Sequence, residues 1–115
     1  GHMILPPIDA DGSGTTWKGL PVFARFRVCD AAGESVRTPP VVTAFRMVQS
    51  TTREGTRVLN EEVPSLLSPP VFQWEPILRT WLFVIDTRRL RERTTYDFRI
   101  TLADGSTIPF RFQVR

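Results

Sequence analysis

The chain has 115 residues, enough for one hydrophobic core and hardly for two, and its 41% hydrophobic and 23% charged content excludes a disordered tail. Ten prolines and seven glycines imply many turns and favour short strands over long helices. The net charge of +3 is carried by arginines spread among acids, with Lys18 the single lysine, and this does not make the broad basic face of a nucleic-acid binder.

Gly1-His2-Met3 looks like the scar of cloning and tag removal, which leaves one domain over residues 4–115. His2 is the only histidine, so the remaining chain has none. A serine triad, a histidine-based zinc site and a Cys–His nucleophile pair are therefore unavailable. Cys29 is the only cysteine, which rules out an internal disulfide and leaves the compartment open. No apolar run approaches the roughly 20 residues that span a bilayer.

In chain order, Pro6-Pro7 opens an extended, irregular lead-in, and Asp9 to Gly14 reads as a turn-rich loop. From Val22 the apolar residues alternate as Val22, Ala24, Phe26 and Val28, against Arg25 and Arg27. A period of two with one apolar row predicts an antiparallel strand with one buried face. Asp30 to Glu34 breaks that strand as a turn, and Pro39-Pro40 bars a helix. Val41 to Val48 reads as a second strand, Gln49 to Gly55 as a polar loop, and Thr56 to Leu59 as a short strand. Asn60 to Pro70 reads as a long connection.

Phe72 to Trp74 alternates, and Ile77 to Ile85 alternates with both rows largely apolar. Such a strand is covered on both faces, or leaves one apolar face exposed. If Glu75 to Leu78 forms the loop, Phe72 opposes Trp81 and Trp74 opposes Arg79. Asp86 to Thr95 is a charged connection with room for one helical turn. Its arginine-rich part, Arg88 to Arg93, has two readings, a contact for phosphate or an acidic polymer and a solvated link; the solvated link is favoured. The last segment is the clearest. Tyr96, Phe98, Ile100 and Leu102 form one apolar row, Asp104-Gly105 signals a hairpin, and Ile108, Phe110, Phe112 and Val114 form the second row. About seven short strands over this length predict an all-β fold, an immunoglobulin-like antiparallel sandwich without the antibody-type disulfide.

The lead Leu5-Pro6-Pro7-Ile8-Asp9-Ala10-Asp11-Gly12-Ser13, then Lys18-Gly19 and Arg25-Phe26-Arg27-Val28-Cys29-Asp30-Ala31-Ala32-Gly33, resembles the PxKF family. The C-terminal half is similar too, through Phe72-x-Trp74, Trp81-x-Phe83, the Tyr96 to Leu102 row and Asp104-Gly105-Ser106. That family comprises secreted or cell-surface β-sandwich modules of bacteria and archaea. The resemblance implies an extracellular accessory domain whose partners are neighbouring domains of a larger protein, with no conserved catalytic residue.

Two constellations are candidate sites. Trp17, Trp74 and Trp81 are the residues for an aromatic platform stacking on sugar rings of a polysaccharide, and equally the residues for the inner face of a sandwich; core is the favoured reading, with Trp17, in a loop, the one of the three most expected to be exposed. Asp9 and Asp11 offer oxygen ligands of the kind calcium takes, against the simpler reading of an Asx turn, which is favoured. No other cofactor is expected. Cys29 has no histidine to activate it, and Glu61, Glu62 and Glu75 show no spacing that pairs them for glycoside hydrolysis. The expected function is a non-catalytic structural module that spaces or positions a neighbour. The alternative is a carbohydrate-binding module using exposed aromatics.

Overall fold

The alternating rows become strands because one row of each is apolar and has somewhere to be buried. The computed structural model describes residues 3–27 and 42–115. Among these it contains nine strands: β1 (Met3–Leu5), β2 (Thr15–Thr16), β3 (Val22–Arg27), β4 (Val42–Thr52), β5 (Gly55–Glu62), β6 (Gln73–Glu75), β7 (Thr80–Ile85), β8 (Thr94–Leu102) and β9 (Thr107–Val114). One 3₁₀ turn, Thr87–Arg89, lies between β7 and β8.

The strands form two sheets, ordered β1-β3-β7-β6 and β2-β9-β8-β4-β5. Set against the immunoglobulin plan of an ABED sheet facing a CFG sheet, β1, β3, β7 and β6 take the A, B, E and D places. In the other sheet β4, β8 and β9 take C, F and G, and β5 adds the C′ strand of the variable type. Strand β2 joins this second sheet parallel to β9, through Thr15 opposite Gln113 and Thr16 opposite Val114. The all-β sandwich is as expected, with nine strands among the described residues where about seven were expected and one parallel pairing among the antiparallel ones. The lead-in around Pro6-Pro7 supplies two extra short strands, one to each sheet, and these segments were too short to show a period.

The core is aromatic. Phe45 of β4 lies between the sheets, 4.9 Å from Phe83 and 5.1 Å from Phe72 by ring centroid. Phe98 is 1% exposed and stacks on Phe110 and Phe112, each at 4.9 Å. Two residues before Phe98, the Tyr96 hydroxyl accepts the backbone N–H of Arg91 at 2.8 Å. This is the tyrosine corner of immunoglobulin-like sandwiches, in which the residue two further on is the second disulfide cysteine of antibodies. Here Phe98 fills that place, so ring packing stands where a covalent staple would be.

Several boundaries differ from the periodicity. The segment Gln49 to Thr52 continues β4 instead of forming a loop, and β5 extends through Glu62. β5 is polar because it is the edge strand of its sheet, exposed at every position except the partly covered Leu59, while Gln49 to Thr51 of β4 are half-buried beside it. β7 begins at Thr80, leaving Ile77 and Leu78 in the turn, 95% and 50% exposed. The turn is Pro76 to Arg79, one residue later than expected, so Trp74 opposes Trp81 and Glu75 opposes Thr80. Glu75 is held as a strand residue by its side chain, whose Oε1 accepts from Thr80 Oγ1 at 2.7 Å and from Arg25 Nε at 3.0 Å. Arg79 closes the turn with φ of 55° and donates its N–H to the Glu75 carbonyl. The expectations for Val28, Cys29, the turn at Asp30 to Glu34, Pro39-Pro40 and Val41 lie outside the described residues.

The register places the ends of the molecule. Met3 opposes Arg27 beside the Pro76 to Arg79 turn, at what is here called the lower end. Val114 opposes Thr94 at the upper end, which also carries the 3₁₀ turn and the tip of the β4–β5 hairpin. The described residues extend 45 × 24 × 23 Å. A five-stranded sheet is about 20–25 Å wide and two layers are no thicker, so the long dimension follows the strands.

Candidate functional site

Trp74 and Trp81 form a cross-strand pair on the inner face of their sheet, with centroids 5.2 Å apart and planes inclined at 62°. Trp81 is 8% exposed and Trp74 packs against the core. Rings so inclined and covered do not make a flat surface for a sugar. Trp17 is 63% exposed, but it stands at the upper end, next to Lys18, whose N–H reaches the Arg115 carbonyl. The structure thus brings two of the three tryptophans together, as core, and leaves the third alone at the other end.

Asp9 and Asp11 sit in the loop between β1 and β2. Asp11 Oδ1 accepts from the Ser13 hydroxyl at 2.7 Å and from the Ser13 N–H at 3.0 Å, and these bonds hold its carboxyl below the usual range. The arrangement is an Asx turn. Gly12 closes it with φ of +82°, and a Cβ there would meet Arg111 Cγ at 2.8 Å, so both conformation and space call for glycine. Among the described residues no three acidic, histidine or cysteine side chains gather as metal ligands. Nor is any helix of the described residues long and apolar enough to cross a membrane.

One concave feature among the described residues is a groove of about 430 Å³ at the upper end, between the β4–β5 hairpin and the 3₁₀ turn. The inner row of β5, Arg57, Leu59 and Glu61, forms one wall; Arg89, Arg91 and Tyr96 form the other. Part of the arginine-rich run predicted as a link thus faces a groove, although no period marked it. The groove holds little chemistry. Tyr96 is 6% exposed and already bonded to Arg91. Beside it, Asp86 caps the turn, accepting from Arg88 Nε and Nη2 at 2.9 Å and from the Arg88 N–H at 3.0 Å. The Arg88 guanidinium holds the Asp86 carboxyl down at about 2. A general acid at neutral pH needs the opposite shift.

No family model and no curated protein matches this chain.

The other acids named from the sequence are apart. Glu75 is tied to Arg25 and Thr80 near the lower end. Glu61 lies on the inner face of β5, and Glu62 opposes Arg46, with 4.0 Å between Glu62 Oε1 and Arg46 Nη1. Asp97 pairs with Arg111 at 2.8 Å and accepts from Gln49. Neighbouring strands thus match these charges in twos. The residue that sequence reasoning missed is Tyr96. Periodicity marks it only as one more inward aromatic, although a tyrosine opening a late strand, two residues before a core position, is itself a signal.

Proposed function

We propose that this chain is a non-catalytic spacer module of a larger extracellular or cell-surface protein. The observation that carries the reading is the chain path: β1 starts at the lower end and β9 finishes at the upper end. Domains joined in series through such a sandwich are held apart by its length. Two further features support it. Of the three tryptophans that would serve a sugar-binding platform, Trp74 and Trp81 are spent on the core, and Glu75, Asp86 and Asp97 are spent on pairwise ties to arginines. The extracellular setting rests on the PxKF-like motif order.

The test is retention of the chain on a panel of insoluble and immobilised polysaccharides, run beside Trp17→Ala. The reading expects no saturable retention for either protein. Retention that is saturable and lost in Trp17→Ala would replace the spacer by a carbohydrate-binding module.

A further inference from the structure

We infer that β5 is a self-complementary edge through which two copies of this chain pair antiparallel. This goes beyond the spacer reading and does not depend on it. An edge strand presents unpaired backbone N–H and C=O groups and is a template for another strand. The other edge strands here are β1, β2 and β6, of two or three residues each. β5 has eight residues, contains no proline, and is exposed at every position except the partly covered Leu59. Among the described residues only β4 pairs with it.

The side chains say what fits. Two-fold pairing about an axis normal to the sheet puts inward residues opposite inward residues. With Leu59 facing Leu59 of the second copy, Arg57 lies opposite the second copy's Glu61, and the symmetry repeats that ion pair. Val58 then faces Asn60, and Thr56 faces Glu62. Sliding the partner by two residues toward the hairpin tip puts Gly55 opposite Glu61; sliding it the other way puts Glu61 opposite Leu59. Further slides put Arg57 against Arg57 or Glu61 against Glu61. The Leu59-centred register therefore matches both charges and sets none against its like. Opposite charges facing across strands stabilise a pair, and like charges destabilise it by a similar amount. The result is a continuous ten-stranded sheet, with the two arginine-lined grooves on the same side.

An eight-residue ladder falls at the small end of protein interfaces, so the dimer is weak and concentration-dependent. Sedimentation velocity of the intact chain from about 10 μM to about 1 mM at low salt reads it. The wild type is expected to shift toward dimer across this range. Arg57→Glu and Glu61→Arg, each with two like-charge contacts in place of two matched ones, should each weaken association about tenfold or more. Circular dichroism and melting temperature should match the wild type, because both side chains are exposed. An equimolar mixture of the two variants should associate again, since each supplies the charges the other lacks. A wild type that stays monomeric throughout, single variants that associate as the wild type does, or a mixture that fails to recover would each overturn the pairing. Association surviving in both single variants would put the contact elsewhere, such as the exposed Phe23 of β3 on the other sheet.

Discussion

Asp86 shows how much a single side chain can organise here. Its carboxylate takes three hydrogen bonds from Arg88, two from the guanidinium and one from the backbone, at the point where the chain leaves β7. A carboxyl whose value falls from 3.8 unfolded to about 2 folded favours the folded state once it is ionised in both. That contribution is fully present above about 4 and is lost as the pH falls through about 2. Arg88→Ala removes the larger part of it. The melting temperatures of wild type and Arg88→Ala should therefore differ at pH 6 and converge as the pH approaches 2. A difference that stays constant over that window would mean that the Asp86–Arg88 contact is not the source.

At the scale of elements, the crossover from β7 to β8 carries the fold from one sheet to the other, and Tyr96 secures it. Tyr96→Phe keeps the ring in the core and leaves the Arg91 N–H without its acceptor, at a cost of about 1–3 kcal/mol. Urea unfolding should show this as a lower midpoint with an unchanged slope; an unchanged midpoint would mean that water replaces the hydroxyl at no cost. The strands that were legible in the sequence are those with one buried face. β3, β8 and β9 show alternating burial because each sits in mid-sheet over the aromatic core. In the β4–β5 hairpin the short strand Thr56 to Leu59 was legible, but its continuation through Glu62 and that of β4 through Thr52 were not, because these polar runs carry no apolar row. β1 and β2 were too short for any period. At the β6–β7 turn, hydrophobicity misplaced the turn by one residue, and so the pairing by two, because Ile77 and Leu78 are apolar yet exposed, and the deciding interactions come from Glu75 through Thr80 and Arg25.

The candidate sites follow the same division. That Trp74 and Trp81 belong to the core was the favoured reading of the sequence, and their cross-strand pairing makes it concrete. The Asx turn at Asp11 was likewise legible, since Asp and Ser two residues apart carry its hydrogen bonds locally. The groove at the upper end was not, since it joins residues from β5 and from the 3₁₀ turn that no local pattern connects.

For the molecule as a whole, the sandwich takes up its chain at one end and releases it at the other, along a 45 Å body. The two sheets share one aromatic core, with Phe45 in contact with rings of both, so the body resists bending between its layers. The most direct measurement is small-angle X-ray scattering of a fusion carrying one compact reference domain before β1 and another after β9. It should be made under dilute conditions, where pairing through β5 is absent. The account predicts an elongated particle in which the separation of the reference domains exceeds the length of the sandwich. A compact particle with the two reference domains in contact would contradict it.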